Sequence, residues 1–256
     1  MTALYDDIVY GPVHSRRLGL SLGVNLLPLR SKICSFDCIY CECGWNGDHP
    51  GERTFHERGE VAAALASCLR QSVQDGAAPD VITFAGNGEP TLHPDFERII
   101  DDTLALRDKL SPAAKVAVLS NATQLGREDV RRALARVDGN ILKIDSAFDE
   151  TVRIMNAPCG QYSVAETVGH MKSFGGGVIV QTMFLRGEFG GRPIDNTSKR
   201  EVEAWLGVLR EIEPAQVMVY SIARDTPCKT VHRVSRGELE SIAARVEASG
   251  IKCSVA

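Results

Sequence analysis

Val81-Ile-Thr-Phe84-Ala-Gly86-Asn87-Gly88-Glu89-Pro90-Thr-Leu-His-Pro94 decides the fold. Val81 to Phe84 reads as a short strand buried on both faces, as in a sheet covered on each side. A glycine-rich loop with one carboxylate follows, and Pro94 opens a helix expected to run to Leu110. Strand, polar loop and helix together make a βα unit, and the rest of the chain repeats it. Further strands are expected over 18–27, 115–120, 140–144, 178–184, 216–222 and 251–255. Helices are expected over 58–74, 127–137, 163–174, 197–212 and 236–248. Asp75-Gly76, Asp138-Gly139, Gly175-Gly-Gly177 and Pro214 supply the stop signals. Strict alternation with short connections places the strands side by side in a parallel sheet. Eight repeats would close a barrel. Six clear ones predict an α/β fold, an open, partial (β/α)6 TIM-like barrel, formed as one domain over residues 1–256.

Composition narrows the class. Of 256 residues, 44% are hydrophobic and 24% charged, as in an ordinary globular chain with a large core. No run approaches the roughly 18 apolar residues of a membrane helix, so no membrane partner is expected. A net charge of −4 argues against a nucleic-acid partner held by bulk electrostatics. Eight cysteines without a secretory leader point to a reducing compartment, the cytoplasm. Cys68, within Val61-Ala-Ala-Ala-Leu-Ala-Ser-Cys68-Leu69, reads as a buried inert thiol.

Parallel sheets gather ligands beyond the carboxyl ends of their strands. The polar motifs fall there. Gly86, Asn87, Gly88 and Glu89 follow the 81–84 strand, glycine permitting close approach to the backbone. Ser120 and Asn121 follow the next strand, where ordinary turn chemistry is the plain alternative. Lys143, Asp145 and Ser146 end the 140–144 strand. A lysine and an aspartate in a strand covered on both faces are costly unless they pair or line a polar cavity. Gln181 interrupts Val178-Ile-Val-Gln181-Thr-Met183 and is expected to face the barrel interior.

The loop over residues 30–47 contains Cys34-Ser-Phe-Asp-Cys38-Ile-Tyr-Cys41, spaced C-x3-C-x2-C. Three sulfurs on a cubane [4Fe–4S] cluster leave one iron open to a small molecule, because most such clusters take four cysteines. A structural zinc site completed by Cys43 and a set of disulfides are the plain alternatives. This spacing, with Tyr40 before the third cysteine, resembles the radical S-adenosylmethionine (SAM) superfamily. The resemblance implies that Cys34, Cys38 and Cys41 bind a [4Fe–4S] cluster and that SAM chelates the open iron. Reductive cleavage of SAM would then give a 5′-deoxyadenosyl radical that abstracts hydrogen from a substrate. Gly86 to Pro90 looks like the superfamily's Gly-Gly-Glu-Pro motif, which receives the SAM amino group, with Asn87 in place of the first glycine. By the same resemblance Tyr40 would lie near adenine, Ser120 and Asn121 near the methionine carboxylate or substrate, and Lys143, Asp145 and Ser146 near the ribose or substrate.

The stretches Tyr10-Gly-Pro-Val-His14 to Pro28, Lys32 to Cys41, Gly86 to Pro94 and Tyr220-Ser-Ile-Ala-Arg224-Asp-Thr-Pro227 extend the resemblance across nearly the whole chain. They are similar to a compact group of radical SAM proteins distantly related to the wybutosine-synthesising tRNA enzymes. Those relatives carry a flavodoxin-like domain or additional N-terminal cysteines. Here 33 residues without cysteine precede Cys34, so a wybutosine-type reaction is not implied. The substrate, a small molecule, peptide or RNA, is left undetermined, and a flavodoxin- or ferredoxin-type electron donor is expected. Two alternatives stand beside this: a glycyl-radical-enzyme activase acting on a protein glycine, and a non-enzymatic metal-binding or interaction module. Arg16, Arg17, Arg30 and Lys32 are candidates for a basic lip, His14 and Asn25 for rim polar groups, and Cys43, Cys159 and Cys228 for thiols facing the cavity.

Overall fold

The computed structural model describes residues 4–15 and 18–256. β1 (Val9–Ser15) pairs antiparallel with β2 (Gly19–Val24). From β2 onward every neighbour in the main sheet is parallel, through β3 (Val81–Phe84), β4 (Lys115–Ser120), β5 (Gly139–Lys143), β6 (Ile179–Phe189), β8 (Gln216–Ser221) and β10 (Cys253–Val255). The order β1-β2-β3-β4-β5-β6-β8-β10 leaves β1 and β10 as unjoined edges among the described residues. The six strands of the expected repeats, β2, β3, β4, β5, β6 and β8, stand in sequence order, as a partial barrel requires, and the last strand, expected over 251–255, is the short β10.

The helices α1 (Arg58–Gln74), α2 (Phe96–Leu110), α3 (Glu128–Leu134), α4 (Asp149–Met155), α5 (Val164–Lys172), α6 (Lys199–Ile212) and α7 (Arg236–Glu247) follow their strands. α6 shows why they form. Ser198 caps its start by accepting from the Glu201 amide at 3.4 Å, and Val202, Trp205, Leu206, Leu209 and Ile212 make one buried stripe. Glu213 then turns left-handed (φ 52°), ending the helix just before Pro214. A capping box between Ser235 and Glu238 starts α7.

Alternate strand residues serve two cores. Leu22, Val24, Ile82, Phe84, Val116, Val118, Leu142, Val180 and Val217 pack with the helices. Val81, Ala117, Ile141 and Met218 meet on the opposite face, inside the barrel. Burial on both faces is the reason the strands read as continuous apolar runs.

Several boundaries differ from expectation. The strand expected to reach Leu27 ends at Val24, because the Asn25 side chain folds onto the next turn, donating to Leu27 O at 3.0 Å and accepting from Leu27 N at 3.2 Å. The helix expected from Pro94 starts at Phe96, after a short 3-10 turn at Pro90–Leu92. The helix expected over 127–137 is confined to Glu128–Leu134. β1, α4 and two strands beyond the barrel were not expected. β6 runs on past Phe184 and pairs antiparallel with β7 (Arg192–Asp195) and β9 (Val231–Arg233), forming a small second layer at the rim. Its turn, Gly190-Gly191, has φ of 57° and 73°, a conformation that two glycines adopt freely. No helix among the described residues is long and apolar enough to cross a membrane.

Candidate functional site

The cysteine loop is stitched to the barrel on two sides. On the first, Ile33 bridges Gly88 in parallel, with Ile33 N donating to Asn87 O and Glu89 N to Ile33 O, each at 3.0 Å. On the other, Asp37 N donates to Asn156 O at 2.9 Å, Ile39 N to Met155 O at 3.0 Å, and Cys159 N to Ser35 O at 2.8 Å. Lys32, expected at a basic lip, is 1% exposed instead. Its ammonium donates to Gly44 O at 2.7 Å and lies 3.5 Å from Asp37, so it props the loop from beneath. Arg30 is exposed, and Arg16 and Arg17 lie outside the described residues.

Cys34, Cys38 and Cys41 are all partly exposed on this loop. Two side-chain amides reach their sulfurs: Asn121 Nδ2 is 3.6 Å from Cys34 and Asn156 Nδ2 is 3.5 Å from Cys38. Burial pushes the Cys34 thiol up, and the Cys38 thiol up to about 11. Cys41 is held down to about 6 by a hydrogen bond from Cys43, with Lys32 assisting. Binding a metal requires the thiolate form, so a cation there would offset the burial that raises Cys34 and Cys38. Soft sulfur donors, amides aimed at sulfur and partial exposure fit an iron–sulfur group with an open position. Cys43 is buried and also donates to Gly86 O at 3.6 Å. Among the described residues, no three His, Cys, Asp or Glu side chains are drawn together as they would be around a single metal ion.

The Gly86–Glu89 loop lies directly against the cysteine loop. Gly88 has φ 140°, and a Cβ there would lie 1.8 Å from Ile33 O. Gly86 is tight for another reason, since its Cβ would meet Asn25 Oδ1 at 2.3 Å. The Asn87 side chain is fully buried and holds the chain, exchanging hydrogen bonds with Tyr5 N (2.8 Å) and Tyr5 O (3.0 Å) and donating to Pro28 O (2.9 Å). Asn25 accepts from Asn87 N at 3.0 Å, so it too is a scaffold residue. His14 is exposed on β1. The Glu89 carboxylate, 2% exposed, faces the end of β4. It accepts from Thr91 N at 3.1 Å, the Thr91 hydroxyl, Ser120 Oγ at 2.8 Å and Asn121 N at 2.7 Å. Burial nonetheless raises its pKa, the four donors opposing.

A second polar network closes the other side. The Asp145 carboxylate accepts from Met183 N at 2.8 Å, Asn156 Nδ2 at 2.8 Å and the Tyr40 hydroxyl, and lies 3.5 Å from Lys143 Nζ. Lys143 donates to Tyr220 Oη at 2.9 Å and sits 5.3 and 5.4 Å from the ring centroids of Tyr40 and Tyr220. Gln181, 4% exposed, stands beside Lys143 in register on β6. Ser146 goes elsewhere, with Oγ donating at 2.6 Å to buried Glu201 on α6. Cys159 is exposed against the cysteine loop, whereas Cys228 is buried near Glu188 and Thr230. Asn156 and Tyr220 join the site without having been singled out as site residues. The signal for Tyr220 was its position on the same strand face as Met218; a lone asparagine at the end of an unforeseen helix offered none.

The Radical SAM superfamily profile matches residues 29–192, more than half of the chain. A UPF0026 protein of Synechocystis sp. is 32% identical over 226 residues, covering 86% of this chain and 77% of that protein. A Brachyspira hyodysenteriae protein named GTPase Obg is 26% identical over 251 residues, 96% of this chain but only 34% of that protein. Among solved structures, a radical SAM methyltransferase from Sphaerobacter thermophilus superposes with a TM-score of 0.69 at 16% identity, covering 92% of this chain and 65% of that one. The chain thus spans about a third of the Brachyspira protein and just under two thirds of the methyltransferase, whose likeness is one of fold. The profile match over the cysteine loop and the sheet makes this chain a member of the radical SAM superfamily, the enzymes that carry a [4Fe–4S] cluster and SAM, and the cyanobacterial match places it with the UPF0026 proteins.

Proposed function

We propose that Cys34, Cys38 and Cys41 hold three irons of the cluster and that SAM binds between the fourth iron and the rim formed by Gly86 to Glu89, Ser120, Asn121, Lys143 and Asp145. A bound cluster and SAM would supply one-electron chemistry, the reductive cleavage of SAM to methionine and a 5′-deoxyadenosyl radical able to take a hydrogen atom from a substrate. The observation that carries this reading is the placement of three partly exposed sulfurs on one loop fastened to the segment after β3 and to the end of α4. Gly86 and Gly88 let this loop pack directly against Asn25 and Ile33, which holds it beside the first cysteine. Glu89 orients Ser120 and Asn121 and thereby shapes the wall beside Cys34. Tyr40 is fixed through its hydroxyl by Asp145 and Asn156, with Lys143 over its ring. Lys143 supplies a cation held between two tyrosine rings, suited to a carboxylate of SAM or of the substrate.

Anaerobic reconstitution with iron and sulfide tests the reading. The expected protein is brown, holds about four irons per chain, and releases 5′-deoxyadenosine from SAM when given a flavodoxin- or ferredoxin-type reductant. Replacing Cys34, Cys38 or Cys41 singly by Ser abolishes iron retention, whereas Ser at Cys43, Cys159 or Cys228 leaves it in place. A colourless protein with one zinc, or iron retained by all three cluster variants, overturns it.

A further inference from the structure

We propose that Asn121 and Asn156 are positioning residues for the cluster: their side-chain amides donate to the sulfurs of Cys34 and Cys38 and raise the cluster's reduction potential. The inference rests on the assignment of those cysteines as ligands and goes beyond it by saying what sets the ease of electron entry.

Both amides are fixed in orientation by their neighbours. Asn121 Oδ1 accepts from Thr123 N at 3.0 Å, a donor that cannot reverse, so Nδ2 is the atom facing Cys34 at 3.6 Å and Ser35 Oγ at 2.9 Å. Asn156 Nδ2 faces the Asp145 carboxylate at 2.8 Å, an acceptor that admits only the NH2 end, and the same nitrogen lies 3.5 Å from Cys38 Sγ. The two residues are 6% and 1% exposed and come from different elements, the end of β4 and the end of α4. Asn156 is also fixed through its main chain, its carbonyl accepting from Asp37 N at 2.9 Å within the loop.

Reduction adds negative charge, part of which falls on the ligand sulfurs. An N–H aimed at sulfur stabilises that charge, so donors to sulfur raise the potential, and partial burial strengthens the effect. Cys41 is placed differently, with Cys43 and Lys32 beside it.

The test is an EPR-monitored redox titration of the reconstituted protein without SAM, alongside iron analysis and circular dichroism. Asn156→Ala and Asn121→Ala are each expected to lower the potential, by up to about tenfold in the one-electron equilibrium, or about 59 mV. The double variant moves it further, since the amides act on separate sulfurs. Thr151→Ala, which removes a 2.6 Å hydrogen bond from α4 to Glu201 and touches no sulfur, should leave the potential unmoved. If Asn156→Ala fails to fold, Asn121→Ala on its separate element decides. Full iron with an unchanged potential overturns the proposal, as does a folded variant that loses iron, which would make the amides structural. A wild-type protein that binds no cluster refutes the ligand assignment instead.

Discussion

Gly88→Ala tests the junction between sheet and cysteine loop, and its cost follows from the structure. A Cβ on Gly88 would lie 1.8 Å from Ile33 O and 2.5 Å from Ile33 C. Both atoms are main chain, so no rotamer change relieves the clash. The backbone has to open by more than 1 Å to reach an ordinary contact. That breaks Ile33 N to Asn87 O and Glu89 N to Ile33 O, both 3.0 Å long, at about 1 kcal/mol each. Holding a residue with a side chain at φ 140° adds about 1–3 kcal/mol. The total is about 3–5 kcal/mol, a large part of the ~5–15 kcal/mol that stabilises a folded domain. At about 2–4 °C per kcal/mol for a chain of this size, the melting temperature falls by roughly 10 °C. Ile33 adjoins Cys34, so the displacement also moves the first sulfur and iron retention falls with stability. Thermal unfolding and iron analysis on the same preparations check both effects. A variant that melts within 2 °C of wild type and keeps its iron would show that the two loops are not locked through Gly88.

Lys143→Met is expected to destabilise by about 2–3 kcal/mol in urea titrations, less than the ~3–5 kcal/mol of a fully stranded buried charge. The reason is that Asp145 keeps its bonds from Met183 N, Asn156 and Tyr40. Adding Asp145→Asn should recover part of the loss, and no recovery would show that the two charges do not interact. Glu238 carries a pH prediction. Its carboxyl is held down to about 2, first by the Ser235 hydroxyl and then by Arg186. A lowered carboxyl pKa contributes stability that is complete above the unfolded value near 4.5 and lost as pH falls toward 2. Wild type should therefore melt above Glu238→Gln at pH 6, with the two curves converging near pH 2; a gap that widens on acidification contradicts the sign.

The barrel was legible because parallel strands covered on both faces leave continuous apolar runs such as Val116 to Leu119, and helices leave stripes such as Val202 to Ile212. The second layer of β6, β7 and β9 was not, since Arg186 to Asp195 is polar and lies beyond the region buried by helices. Gly190-Gly191 was the one available sign, a two-residue turn between runs that could pair. At the site, the glycine loop was recognisable as a place of close approach, although only the structure shows that Ile33 is what approaches. Asp145 and Ser146 read together as rim residues, yet successive side chains of the extended segment leaving β5 point in opposite directions. Asp145 consequently joins the interior while Ser146 turns to Glu201. Asn156 escaped notice because its meaning depends on Cys38, 118 residues away.

That network gives a reason for burying two opposite charges where a hydrophobic pair would be no less stable. Asp145, just beyond β5, reaches the main chain of β6 through Met183, the end of α4 through Asn156, and the cysteine loop through Tyr40. Lys143 extends the same set to β8 through Tyr220. An apolar cluster of Ile39, Tyr40, Met155, Met183 and Leu185 packs around these contacts but has no direction of its own. Hydrogen bonds do have direction: each requires a donor and an acceptor to meet at a set distance and angle. A loop without helix or strand is thereby held at a fixed height above the strand ends. The distance from Cys38 to the rim is then a property of the sheet, and a change at Tyr220 on β8 should be felt at the cysteine loop through Lys143 and Asp145.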